Sequence, residues 1–193
     1  MIHLRLAAAT LAALSIAGAA AKEEWKTLTL RGEPGLTISV PAAADNMIDE
    51  KNPDDLMFIS VSAGMHGVLT CMAHRNGYPQ GTTRASFAAG IATERREIFC
   101  GHDEKTISGV SIGDSYSFKR NGAQGAVCTA SFTDSAEKSP GRVQSQLLIA
   151  AASKVYVLTC ITEDEDQETA EYEWSSFWGE KVRHIQDSFN VPD

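Results

Sequence analysis

Three of the four cysteines sit inside short apolar runs of strand character: Val68-Leu69-Thr70-Cys71, Ala126-Val127-Cys128-Thr129 and Val157-Leu158-Thr159-Cys160. Cys100 is the fourth. An even number of cysteines downstream of an export-type leader reads as disulfides, and bridges between such runs would clamp the core of a β-rich domain. Four cysteines allow three connectivities. Nearness in sequence favours Cys71 with Cys100 and Cys128 with Cys160, while the matching Val-Leu-Thr-Cys runs could equally be neighbours in one sheet.

The leader is residues 1–21. Met1 to Arg5 carry a positive charge, Leu6 to Ile16 form a short apolar run, and Ala17-Gly18-Ala19-Ala20-Ala21 supplies the small residues expected before a cleavage site ahead of Lys22. The apolar run falls short of the roughly 20 residues of a membrane span, and no second such stretch follows. No cysteine near the site offers a lipid attachment point. The expectation is a soluble, periplasmic or secreted protein without membrane insertion after cleavage. Removing residues 1–21 from the 193 leaves 172, the size of a single domain over 22–193. That domain holds 16 basic and 25 acidic residues, a net charge of −9. Scattered basic residues and this acidic balance argue against nucleic acid and against an anionic membrane surface as partners.

The apolar pattern alternates between periods of two and 3.6. Thr27 to Leu30 and Leu36 to Val40 alternate on either side of a Gly-Glu-Pro-Gly turn, predicting an opening hairpin. Pro41 to Asp55 lacks periodicity and reads as a loop. Strands are expected at Leu56 to Ala63 and Val68 to His74, followed by a helix over Arg84 to Phe99 capped by Thr82 or Thr83. Thr106 to Ile112, Ser115 to Arg120, Ala123 to Thr133, Arg142 to Ala151 and Lys154 to Ile161 read as five further strands, with turns at Asn121-Gly122 and Ser139-Pro140-Gly141. Trp174, Phe177, Trp178, Val182, Ile185 and Phe189 fall at helical spacing in a closing helix over Asp166 to Phe189. The fold class is therefore α+β: an antiparallel meander sheet covered by two main helices.

This organisation resembles the PsbP-like fold family, which includes PsbP and DcrB-type envelope proteins. The likeness is carried by the opening hairpin, Leu28-Thr-Leu to Leu36-Thr-Ile-Ser-Val-Pro41, by the mid-chain helix and meander, and by the closing Ile185-Gln-Asp-Ser-Phe189. It implies a sandwich of that type and a non-catalytic accessory role, because members of the fold mostly bind or support other proteins. It carries no functional residues with it.

Several constellations invite chemistry. Gly109-Val110-Ser111-Ile112-Gly113 matches a hydrolase nucleophile elbow, with His184 downstream, but an elbow requires a strand, a sharp turn and a helix, whereas Asp114 to Phe118 continues as strand. Cys71-Met72-Ala73-His74 and Cys100-Gly101-His102-Asp103, with Met65 and His66 near by, could hold zinc or copper through His74, His102 and sulfur. Against this, Cys71 and His74 on one strand point to opposite faces. Glu163, Asp164, Glu165, Asp166 and Glu168 suit the positive end of a helix and lack the spacing of a calcium loop. No Cys-x-x-Cys supports a redox role. Tyr172, Trp174 and Trp178, with Phe177, put more aromatic surface on one helix than a single core seam needs and form a candidate partner patch. The composite expectation is an exported, disulfide-stabilised binding protein without a cofactor, acting on an unknown protein partner or small ligand. A metal-binding envelope protein is the alternative and a small hydrolase the weaker one.

Overall fold

A computed structural model describes residues 23–47, 52–93, 107–134 and 140–192. The proposed leader, Cys100 and His102 lie outside the described residues.

The opening segment forms a hairpin of β1 (Trp25–Thr29) and β2 (Thr37–Pro41), a small sheet of its own. Its alternation buries Ile38 and Val40 on one side. Seven strands make the main sheet: β3 (Asp45–Asn46), β4 (Asp55–Ser62), β5 (Val68–Asn76), β6 (Ile107–Arg120), β7 (Ala123–Asp134), β8 (Gly141–Ala150) and β9 (Val155–Asp164). Helix α1 (Arg84–Ala92) lies between β5 and β6, capped by Thr83 and Ser86 in a reciprocal pair of hydrogen bonds. The chain closes with α2 (Gln167–Glu173), a π turn (Trp174–Trp178) and α3 (Gly179–Ser188).

The spatial order is β3-β4-β5-β9-β8-β7-β6, antiparallel throughout. The meander expected from sequence is therefore confined to β6 to β9. The earlier strands add to its last member, because β5 pairs with β9 and the α1 connection carries the chain to the far edge. The expected strands 106–112 and 115–120 are one long β6. Register shifts between Ser108 and Ser111 and between Ile112 and Ser115 bend it, which is where the alternation breaks. A two-residue strand, β3, interrupts the loop expected over Pro41 to Asp55.

The connectivity favoured by sequence nearness is corrected by the register. Cys71 of β5 stands directly opposite Cys160 of β9, Cα atoms 4.1 Å apart, and the two are bonded. That close spacing is typical of the non-hydrogen-bonded pairs of an antiparallel ladder, where facing side chains come nearest. Cys128 is disulfide-bonded as well, with its partner outside the described residues.

Each face of the sheet carries its own core. The inner face, with Leu56, Ile59, Leu69, Leu147 and Leu158, packs against the hairpin and against Trp178, Ile185 and Phe189 of the closing segment. The outer face, with Ala126, Leu148, Val155 and Val157, receives Phe87 and Ile91 of α1. Gly141 lets the start of the closing segment meet the sheet: a Cβ there would lie 2.2 Å from the backbone of Asp166. Asp166 caps α2 by accepting from the Thr169 amide at 2.8 Å, and these bonds hold its carboxyl below the usual range. The hairpin is fastened to the sheet through Glu33 in its turn. Lys154 Nζ reaches Glu33 Oε1 at 2.6 Å, the Tyr156 hydroxyl donates to Oε2 at 3.2 Å, and Arg75 pairs with the same carboxylate. The Lys154 bond, with help from Arg75, holds the Glu33 carboxyl below its ordinary range. No described helix is long and apolar enough to cross a membrane.

Candidate functional site

Between the inner face of β6 to β8 and the closing helices lies a cleft of about 720 Å³. That volume falls in the range that encloses small-molecule ligands. Its floor comes from strict alternation along two strands. Val127, Thr129 and Ser131 of β7 point inward beside Val143 and Ser145 of β8. Its wall is Glu171 and Trp174 from one helical turn and Val182, Arg183 and Gln186 from the next.

The hydroxyls of the floor are organised in two groups. Thr129 Oγ1 and Ser145 Oγ are 2.9 Å apart across the strand pair, and Gln186 Nε2 donates to Ser145 Oγ at 3.0 Å. Farther along, Ser131 donates to the Glu171 carboxylate, while Gln167 Nε2 donates to Ser131 Oγ at 3.2 Å and to Glu171 Oε1 at 3.0 Å. Ser131, Ser145 and Gln186 are buried, so these bonds offset the cost of desolvating them. The hydroxyls answer to amides and a carboxylate rather than to an imidazole, an arrangement suited to binding a polar molecule. Arg183 stands at the wall with no ion pair among the described residues.

The π turn shapes this wall. The Gly179 amide donates to the carbonyl of Trp174, five residues back, where an α-helix would use four. The extra residue swings Trp174 to the cleft while Trp178 turns into the core. Gly179 packs closely beneath it: a Cβ would approach the Trp174 carbonyl to 3.0 Å, a tight contact to which the turn would have to yield. The aromatic set is thus divided. Trp178 is fully buried and donates its indole N–H to the His66 carbonyl at 2.7 Å. Phe177 stacks on the His66 ring at 4.2 Å, with His66 Nδ1 2.7 Å from Glu173 Oε2. Trp174 is half-buried in the cleft, and Tyr172 is 66% exposed.

The other sequence candidates separate. Ser111 lies within β6, paired with Ser131 of β7, so the strand-turn-helix of a nucleophile elbow is not formed around it. His184 packs on Trp25 at 4.0 Å. Cys71 faces the inner core, whereas His74, three residues on, faces outward beside Asp55 and Met72. Met65 is 94% exposed on the turn Gly64–His66. Among the described residues no three or more His, Cys, Asp or Glu side chains are placed together so as to hold a metal ion. The sequence reading missed the floor residues Thr129, Ser131, Ser145 and Gln186. The available signal was hydroxyl residues at inward positions of strands otherwise rich in Val, Leu and Ala.

No protein-family model matches the sequence, and no curated protein matches it. Solved structures do. The solution structure of cyanobacterial PsbP (CyanoP) from Synechocystis sp. PCC 6803 aligns over 93% of this chain and 99% of its own, at TM-score 0.56 and 9% identity. LpqN of Mycobacterium tuberculosis, described as involved in cell envelope biogenesis, aligns over 84% of this chain and 88% of its own, at TM-score 0.49 and 17% identity. PA94 of Pseudomonas aeruginosa, a protein of unknown function, aligns over 88% and 97%, at TM-score 0.46 and 14% identity. With the hairpin, the sheet order and the closing helices in place, the chain has the PsbP-like fold.

Proposed function

We propose that this protein is an exported, disulfide-braced accessory protein of the bacterial envelope that binds rather than catalyses, holding a small ligand or a segment of a protein partner in the cleft under Trp174. The cleft carries the reading: about 720 Å³, a hydrogen-bonded hydroxyl floor, an aromatic wall and a cationic Arg183 at one side. A half-buried indole beside a few fixed polar groups is the usual composition of a recognition site. The PsbP-like fold agrees with an accessory role, and the leader-like segment and bonded cysteines agree with an oxidising compartment. Tyr172, two residues before Trp174, is exposed outside the cleft and would offer a partner a separate aromatic contact.

A photo-crosslinking residue in place of Trp174, in the full chain expressed in its native cells, tests this reading. The expected result is a discrete adduct from position 174, absent when the crosslinker replaces Met65, together with a mature chain beginning at Lys22 in the periplasmic fraction. No adduct specific to position 174 would overturn the binding role of the cleft. A cytoplasmic, uncleaved chain would overturn the envelope assignment.

A further inference from the structure

The edge of the sheet farthest from the cleft carries a different chemistry. Met72-Ala73-His74 on β5 places a thioether and an imidazole on the same face, because side chains repeat every two residues along a strand. Phe58 is directly opposite Met72, and Asp55 directly opposite His74. On the next strand the pairing of Asn46 with Ile59 brings Met47 beside Phe58, and the Met47 amide donates to the Phe58 carbonyl at 2.8 Å. Met47 and Met72 therefore flank one aromatic ring in a cross-strand row, with His74 next along the face. Neighbouring positions in such a row have Cβ atoms about 5 Å apart, so Met47 and Met72, one on each side of Phe58, stand roughly 10 Å apart, a gap that two unbranched thioether side chains can close over the ring.

These side chains line one cavity of about 410 Å³, together with Met57. Three of the four methionines that follow Met1 are gathered there, and the fourth, Met65, is on the surface elsewhere. Methionine also fills irregular apolar gaps, and what sets this group apart is that its thioethers lie beside an imidazole and a carboxylate.

We infer that this face binds a cuprous ion through the thioethers of Met47 and Met72 and the imidazole of His74. Thioether sulfur is a soft donor that selects Cu(I), whereas zinc prefers thiolate, imidazole and carboxylate. Cys71 and Cys160 supply no thiolate, being bonded to each other on the opposite face. Asp55 adds a negative charge beside the imidazole that favours a cation. The site is separate from the cleft, so its failure leaves the proposed binding role untouched.

The test is an anaerobic titration of the oxidised mature chain against Cu(I) held as its bicinchoninate complex, followed by the colour of that complex. The expected result is withdrawal of one equivalent of copper. Met72→Leu and His74→Ala should each weaken retention at least tenfold, Met47→Leu should weaken it measurably, and Met65→Leu should leave it unchanged. Thermal unfolding without copper verifies each variant. Met47 is exposed and Met72→Leu conserves volume, so those two keep the test intact if His74→Ala fails to fold. No withdrawal of copper, or withdrawal indifferent to both methionine changes, would overturn the inference. Zinc retained as firmly as Cu(I) would overturn the assignment to a soft ion.

Discussion

The inner face of one sheet meets the closing helices in two different ways. Along β5 and β9 the inward residues are Leu69, Cys71 and Leu158, and the covering Trp178, Ile185 and Phe189 seal against them. Along β7 and β8 the inward series includes Thr129, Ser131 and Ser145, and a cleft opens between these residues and the closing segment. The backbone is continuous across both halves, so the difference lies in side-chain chemistry. On β7 and β8 inward hydroxyls are tied to Gln186 and Glu171 of the closing segment, whereas on β5 and β9 aliphatic side chains share a core with it. A cleft of this kind is built by substituting hydroxyls into a sheet, without any change of fold.

The sealed half should be the more costly to disturb. Trp178→Ala removes a fully buried indole and its bond to the His66 carbonyl, and should destabilise the protein by about 3–5 kcal/mol in denaturant titration. A loss below about 1 kcal/mol would show that the two halves do not differ in packing. The double change Cys71→Ala and Cys160→Ala frees a link between residues 89 apart and should cost about 2–5 kcal/mol in the same measurement.

The polar half should respond according to pairing rather than volume. Ser145→Val strands the Gln186 amide and Thr129 hydroxyl and should cost about 1–3 kcal/mol. Adding Gln186→Leu should recover much of that loss, since both ends of the bond become apolar, and should narrow the cleft in a crystal structure. If the double variant were as unstable as the single, hydrogen-bond pairing would not be what carries the stability of this half.

The smallest effect concerns pH. Glu33 has a folded pKa below its ordinary value, so its contribution is complete above the unfolded value near 4.5 and is lost as pH falls through the lower folded value. Glu33→Gln should therefore lower stability at neutral pH by a modest amount and flatten the decline of stability between about pH 5 and pH 3. A wild-type and variant pair with parallel acid limbs would remove Glu33 from that role.

The fold was legible because both periodicities are clean. Alternation located the hairpin and strands β4 to β9 to within a few residues, and Trp178, Val182, Ile185 and Phe189 marked the closing helix. What was not legible follows from two physical causes. Pairing is a long-range property: nothing within Val68 to Cys71 states that its neighbour is Val157 to Cys160 rather than a segment nearer in sequence, and the disulfide guess failed on this point. The π turn is likewise invisible to spacing, since Trp174 and Trp178 at four residues apart read as one face until an extra residue enters the turn. Hydroxyls on inward strand positions look like ordinary surface serines until the inward face is known. The methionine and histidine of Met72-Ala73-His74 were noticed, but their companion Met47 becomes a neighbour only through the short β3.

The bond between Cys71 and Cys160 also has a meaning along the chain. It crosses the one seam where the first half of the chain meets the last strand of the meander, and β5 has no partner on that side until β9 exists. Strands β6 to β9 follow one another directly along the chain, while the β5–β9 seam requires a loop of 89 residues to be gathered in. The covalent link therefore fastens a joint between distant parts of the chain, and it would keep that joint from reopening to leave two bare sheet edges.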